Sequence, residues 1–146
     1  MRHPERQSSK GFSFIEILLV VLILGILGAI AVPTLLGQKK NAELVGDAQQ
    51  NTRSLQLMLE TRKADAGIYG PANAAYTWAP QPDGSLLASD ATIAPLFGAK
   101  KSSFMTYTLT MGATGLTYDL SIRDNRTGKG NALIYQTDQT GRQIYP

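Results

Sequence analysis

Residues 10–16 read Lys-Gly-Phe-Ser-Phe-Ile-Glu, and a strongly apolar run without a charged residue follows them directly, from Ile17 to Gln38. At 1.5 Å per residue a helix over this run would be about 33 Å long, which is enough to cross the hydrocarbon core of a bilayer. Basic residues precede the run, and this order predicts a cytoplasmic N-terminus and an external chain from Lys39 onward. The stretch therefore predicts a transmembrane helix that carries an external domain.

The composition limits the chemistry that the chain can carry. It has 146 residues and no cysteine, and its single histidine is His3. A disulfide framework, a thiolate metal site and a histidine-based catalytic triad are therefore excluded. Because no nucleophile, base and orienting group can be assembled, we expect a protein that is not an enzyme and that uses no cofactor and no metal.

The net charge of +3 does not favour a nucleic-acid partner. Arg2, Arg6 and Lys10 against Glu5 place +2 of this charge in the first eleven residues, so the rest of the chain carries only +1. A protein that binds DNA phosphates needs a higher concentration of positive charge. We expect no nucleic-acid partner.

Glu16 is the acidic residue at the start of the apolar run. A carboxylate in the middle of a membrane costs about 2.5–3.5 kcal/mol on insertion scales. Two interpretations are open: Glu16 has a positively charged partner, or it lies in the membrane interface, where its charge favours the N-terminus of a helix. The run itself is longer than the apolar core of about 7–15 residues in a secretory signal, and no small-residue cleavage site follows it.

The segment Lys10–Glu16, the apolar run behind it and the sequence Ala31–Pro33 together closely resemble the N-terminus of type IV pilins and pseudopilins. The resemblance covers Ser8–Leu36. It implies a leader, Met1–Gly11, that a prepilin peptidase removes by cutting after its last residue. It also implies that the new terminal residue, Phe12, is then N-methylated.

The resemblance implies further roles within the helix. Glu16 would act in assembly, since in one subunit it would meet the terminal amine of a neighbouring subunit as helices stack in a filament. Because Phe12 and Glu16 are one helical turn apart, an intramolecular pair between the amine and the carboxylate is an open alternative. Gly25 and Pro33 match the positions that give the helix of this family its flexibility.

The helix is predicted to continue beyond the apolar segment, 12–38. Apolar residues recur at spacings of three and four from Leu44 to Leu59, which predicts an amphipathic helix over 39–63 that enters the external domain. Residues 64–103 are rich in Ala, Pro, Gly and Ser and predict a long, irregular connection, with a short helix near Ala91–Phe97.

Three aromatic residues of this connection, Tyr69, Tyr76 and Trp78, allow two interpretations. They contact neighbouring subunits, or they cover the core of the domain.

The last part of the chain, 104–146, predicts an antiparallel sheet. Met105–Met111 and Leu116–Ile122 alternate with a period of two and are joined by a glycine-containing turn, which is typical of a hairpin. Ala132–Thr137 predicts a third strand and Arg142–Tyr145 a fourth. A long helix packed on a C-terminal antiparallel sheet is an α+β fold, and it is the architecture that the resemblance implies.

Some pseudopilins bind calcium near the C-terminus, and Asp119, Asp124 and Asp138 are the acids that such a site could use here. They are scattered along the sequence without the spacing of a calcium-binding loop. We therefore expect no metal site.

The resemblance implies a structural subunit, the major pilin of a type IV pilus, that polymerises through its N-terminal helix into an extracellular filament for adhesion, motility or DNA uptake. Its partners would be copies of itself, the prepilin peptidase and the pilus assembly machinery of the bacterial inner membrane, where a single span anchors it before assembly. The alternative within the family is the major pseudopilin of a type II secretion system. A plain membrane-anchored binding domain would leave the combination of Gly11, Phe12 and Glu16 unexplained.

Overall fold

The computed structural model of the chain describes residues 11–83, 85–99, 104–126 and 128–145. In order along the chain, the elements are helix α1 (Phe14–Ala66) and strands β1 (Ala75–Pro80), β2 (Leu86–Ala88), β3 (Met105–Met111), β4 (Tyr118–Asp124), β5 (Ala132–Asp138) and β6 (Gln143–Tyr145). The chain divides into two compact units, with the boundary after Lys40. The first part of α1 belongs to the first unit and the remainder to the second.

The described part of the first unit is the beginning of α1 with the residues just before it. Its large apolar side chains, from Phe14 to Leu36, are exposed, and its most apolar window buries nothing within the chain. In length and hydropathy α1 is sufficient to cross a membrane. The predicted apolar helix is therefore present, and no described residue covers it.

The second unit is an antiparallel sheet with the strand order β2-β1-β3-β4-β5-β6. Its central strands β3 and β4 pair along their whole length, from Met105 opposite Asp124 to Met111 opposite Tyr118. The end of α1 packs on one face of this sheet, where Asn51 donates a hydrogen bond of 2.6 Å to the hydroxyl of Tyr107. The predicted α+β fold, a long helix on an antiparallel sheet, is confirmed.

The core lies between this helix face and the sheet, and it contains the residues that the periodicity predicts. The apolar positions of the helical stripe are buried, as are the alternate residues of the two central strands: Leu44, Ala48, Leu55, Leu59, Met105, Tyr107, Leu109, Met111, Tyr118, Leu120 and Ile122. The stripe also includes Asp47 and Asn51, polar residues that the apolar pattern did not predict to be buried. Only Leu116 departs from the predicted strand pattern, because it lies in the turn before β4 and is exposed.

The prediction of an irregular connection over 64–103 is wrong for part of that segment, because β1 and β2 lie within it. Strand β1 is short and ends in Pro80, and only Tyr76 and Trp78 alternate as large apolar residues in it. Such a short strand among small and proline residues has too few positions to establish a period of two. Tyr69, Tyr76 and Trp78 are all buried in the core, which decides between their two interpretations.

The short helix predicted near Ala91–Phe97 is also wrong, since these residues form turns. The carboxylate of Asp90 accepts hydrogen bonds from the backbone and the hydroxyl of Thr92, which fixes a local turn. Pro95 then disfavours a helical conformation at the residue before it.

Helix α1 ends at Ala66, three residues beyond the predicted end, and the chain reverses at Gly67. Gly67 has a φ of 78° and donates a backbone hydrogen bond of 2.8 Å to Lys63, the arrangement of a left-handed helix cap. The chain is then fixed to the β3–β4 turn, because Tyr69 donates a backbone bond of 2.9 Å to Gly115. A Cβ at Gly115 would lie 2.2 Å from the carbonyl oxygen of Gly70, so this close approach requires glycine.

Candidate functional site

The beginning of α1 is set by Ser13. The backbone amides of Glu16 and Ile17 donate to its carbonyl oxygen at 3.0 and 3.2 Å, so Ser13 is the N-terminal cap and Glu16 the third helical residue. A serine followed three residues later by glutamate has the spacing of a capping box. One of the two interpretations of Glu16 already placed it at the N-terminus of a helix, but the prediction missed Ser13 as the cap.

This position has an electrostatic consequence for Glu16. The first turn of a helix carries the positive end of the helix dipole, which stabilises a carboxylate there. The same carboxylate remains available to a terminal amine, because an acceptor has two oxygens and several lone pairs. Glu16 therefore lies where the helix itself stabilises a carboxylate.

Gly11 and Phe12 precede the helix and are exposed, with 78% of the Phe12 surface accessible. The peptide bond between them lies outside regular structure, where a peptidase can reach it without unwinding a helix. Of the predicted leader, residues 1–10 lie outside the described part of the chain. An intramolecular pair between Phe12 and Glu16 requires the two residues to be one helical turn apart. Phe12 precedes the helix in the uncut chain, so this spacing is not present there.

Gly25 and Pro33 both lie inside α1. A Cβ at Gly25 or at Gly28 would meet nothing within 4 Å, so no contact inside the chain requires glycine at either position. Pro33 has no N–H group and cannot donate to the carbonyl four residues earlier, which weakens the helix at that point. The neighbouring Thr34 donates from its hydroxyl to the carbonyl of Ala31 at 2.8 Å.

The three acids considered for calcium lie at two ends of strands β4 and β5. Asp119 is directly opposite Asp138, whereas Asp124 is five residues along β4, about 17 Å away. Among the described residues no group of three or more metal-ligating side chains occurs.

Asp124 is engaged by an arginine. Its side chain is 6% exposed, and Arg126 donates to it from Nε at 3.0 Å, from Nη2 at 2.6 Å and from its backbone amide at 2.9 Å. Burial by itself would raise the pKa of Asp124, but the hydrogen bonds and charge of Arg126 outweigh it and hold the pKa below its usual range. Arg126 also donates to Asn41 at 3.0 Å, which ties the β4–β5 turn to the helix.

A second polar group surrounds Tyr69 at the end of α1. Its hydroxyl donates to Glu60 at 2.6 Å and accepts from Lys63 at 3.2 Å. Burial and then the hydrogen bond to Glu60 raise the pKa of Tyr69 to about 12. The group holds the chain reversal after the helix.

Comparison with known proteins identifies the N-terminal segment. Residues 6–32 match the prokaryotic N-terminal methylation motif. This motif at the N-terminus, together with a long N-terminal helix on an antiparallel sheet, makes the chain similar to the type IV pilins and pseudopilins.

A relative is known from Klebsiella michiganensis. The chain is 47% identical over 38 residues to its type II secretion system core protein G. The aligned residues are 26% of this chain and 27% of that protein, so the similarity covers about a quarter of each. No solved structure matches the chain.

Proposed function

We propose that this protein is a structural subunit, not an enzyme, that is cut between Gly11 and Phe12, methylated at Phe12 and polymerised through the beginning of α1 into a filament. One observation carries the proposal: within the methylation motif and just after it, up to Leu36, the apolar side chains of α1 are exposed on every side of the helix.

This surface requires a partner outside the chain. Covering one large aliphatic side chain contributes about 1.5–3 kcal/mol, and a helix that is apolar all round is stable only when it is surrounded by apolar material. A bilayer supplies such surroundings before assembly, and the helices of other copies supply them afterwards. The second unit has a closed core of its own, so it is the part of the subunit that can face water.

Glu16 couples processing to assembly in this proposal. Cleavage after Gly11 creates a positively charged amine on Phe12, and N-methylation keeps that charge. A carboxylate away from water is stabilised only when it is paired. Since the Glu16 carboxylate is one turn inside the helix, the amine of a neighbouring copy can approach it when the helices are staggered along a filament.

Gly25 and Pro33 give the helix two weak points in the same segment. Glycine is among the poorest helix formers, and proline removes one backbone hydrogen bond. No contact within the chain requires glycine at position 25, which supports a role in flexibility after assembly.

Three variants of α1 test the proposal. Glu16→Leu removes the charge, whereas Glu16→Gln keeps the polar group that a capping box needs but not the charge. We expect both variants to be inserted into the membrane and to assemble poorly, while the control Asp65→Asn, in an exposed acid near the end of α1, assembles normally. A wild-type filament yield from Glu16→Leu would contradict the proposal. If Glu16→Leu lost filaments and Glu16→Gln did not, the role of Glu16 would be helix capping and not charge pairing.

The finer proposal is that the filament is an extracellular type IV pilus and that this chain is its major pilin. The second candidate is a pseudopilin of a type II secretion system, and the identity with core protein G favours it. Shearing intact cells separates the two: an abundant processed subunit in the sheared fraction supports the pilus, and a processed subunit confined to the cell envelope supports the pseudopilus.

A further inference from the structure

The face of the sheet that points away from α1 has an ordered arrangement of side chains, and we call it the outer sheet face. Its middle row crosses four strands and contains Thr77, Thr108, Ser121 and Gln136, which the strand registers place side by side. Side chains alternate between the two faces of a strand, and the neighbours of these residues on β3 and β4 are buried. The middle row is therefore on the solvent side, and every member is an uncharged hydroxyl or amide.

Along β4, a charged residue lies on each side of this row. On one side Asp119 lies directly opposite Asp138, and like charges in this position destabilise a sheet. Asp138 is compensated, because its carboxylate accepts from Thr140 and lies 3.8 Å from the Nε of Arg142. Among the described residues no hydrogen bond or ion pair engages the side chain of Asp119.

The other side of the row carries the opposite charge. Arg123 is exposed four residues further along β4, about 13 Å from Asp119, and its Nη1 donates to the carbonyl of Asn131 at 3.2 Å. Among the described residues no carboxylate pairs with it. One strand thus presents a free negative charge, a neutral centre and a positive charge on the same exposed face.

This pattern is complementary to itself under a two-fold rotation. If two outer sheet faces meet with the axis between them along the middle row, Arg123 of each copy lies over the partner's Asp119. A residue on the axis meets the same residue of the other copy. A hydroxyl or an amide can form a hydrogen bond with its own kind because it both donates and accepts, whereas two identical charges repel each other. The row on the axis contains only groups of the tolerant kind.

The alternative, in which the facing strands are parallel and one copy is shifted along them, fits the pattern less well. It would pair one arginine with one aspartate, leave the other two charges unpaired and displace the middle rows by about 13 Å. The two-fold arrangement pairs all four charges and keeps the middle rows in contact.

We propose that the outer sheet face is a self-complementary contact that joins two copies of this chain, with Asp119 and Arg123 forming reciprocal ion pairs around Ser121. The contact does not use the apolar part of α1 and stands independently of the proposed polymerisation. Where copies are also joined through their helices, it would hold two filaments side by side. Each single contact is weak because its charges are exposed, and repetition along a filament would make it effective.

The absence of cysteine from the chain allows a direct test with single thiols. Ser121→Cys places the thiol on the proposed axis, facing its own copy across the about 10 Å that separates packed sheets. Thr110→Cys is the matched control on the same face, two residues off the axis along its strand. With the full-length protein in detergent micelles and a bismaleimide of matching reach, Ser121→Cys should give covalent dimers and Thr110→Cys should not. Equal dimer yields from the two variants would overturn the proposal.

Exchange of the charges tests the orientation. In the Ser121→Cys background, Asp119→Arg and Arg123→Asp should each lower the dimer yield about tenfold, because each brings like charges together, and the variant with both changes should recover it. No loss in the single variants, or no recovery in the double variant, would overturn the proposal. Tryptophan fluorescence, through the buried Trp78, checks that each variant is folded.

Electron microscopy of the same variants separates this contact from the proposed function. Single filaments that no longer associate laterally are the expected result for Asp119→Arg. Loss of all filaments together with normal crosslinking through Ser121→Cys would contradict the proposed polymerisation and leave the contact supported.

Discussion

The two parts of helix α1 share a backbone conformation and differ completely in their surroundings. Up to Lys40 the apolar side chains are exposed on all sides, whereas from Asn41 one face of the helix is buried on the sheet and the other is mainly polar, with Leu57 as an exposed apolar residue. The contribution of a leucine to the stability of the fold therefore depends on its position along this one helix. In the second part Leu44, Leu55 and Leu59 stabilise the fold of their own chain, whereas no described residue covers the leucines of the first part.

The largest effect is expected from one leucine of each part. Leu55 is 0% exposed and Leu22 is 60% exposed. Leu55→Ala should lower the free energy of unfolding of the second unit by about 2–5 kcal/mol, because it opens a cavity in the core. Leu22→Ala should change that value by less than about 0.5 kcal/mol. The fluorescence of Trp78 during denaturant unfolding reports on both, and similar losses would break the comparison.

The next effect contrasts two ion pairs of the second unit. Arg126→Met leaves the buried carboxylate of Asp124 without its partner and should cost about 3 kcal/mol. Arg142→Met removes the pair with Asp138, in which the arginine is 77% exposed, and should produce no measurable change. Equal unfolding midpoints for the two variants would show that burial of Asp124 is not what makes its pair important.

A smaller effect distinguishes the glycines of the two parts. Gly115 has a φ of 71° and lies against the backbone of Gly70, so Gly115→Ala should destabilise the second unit by about 1–3 kcal/mol. Gly28→Ala meets open space and should leave the unfolding of the second unit unchanged. If the thermal unfolding of Gly115→Ala matched that of the wild type, the close backbone contact between the segment after α1 and the β3–β4 turn would not require glycine at position 115.

The smallest expected effect is a pH dependence that arises from Asp124. Its pKa is lower in the folded chain than the ordinary value of 3.8. The folded state therefore binds its proton less readily than the unfolded chain, and the stabilisation is present above that value and lost as the pH falls below it. Denaturant unfolding between pH 5 and pH 2.5, values that bracket about 4, should show a shallower decline for Asp124→Asn than for the wild type. Identical slopes would mean that the Arg126 pair makes no contribution in acid.

The sequence predicted the elements whose pattern is long and internally consistent. The apolar run, the helical stripe from Leu44 to Leu59 and the alternation in β3 and β4 each repeat often enough to define a period, and the structure contains all of them. Strands β1 and β2 were missed because they have few alternating residues, and the short helix near Pro95 was predicted where turns form.

The contacts of the candidate sites depend on features that no local pattern specifies. The Asp124–Arg126 pair needs the turn after β4, which brings residues two apart into bidentate contact. The opposition of Asp119 and Asp138 needs the register of β4 and β5, which shifts at a bulge after Ile122. The cap at Ser13, in contrast, follows a local rule and could have been predicted from its spacing to Glu16.

Mass spectrometry of the N-terminal peptide of this protein in assembled filaments tests most directly whether processing precedes assembly. In the proposed function, other copies cover the apolar part of α1 only after the leader has been removed, when the charged amine of Phe12 is available to Glu16. We therefore expect assembled subunits to begin at Phe12 and to carry one N-methyl group. Assembled subunits that retain residues 1–11 would contradict this order of events.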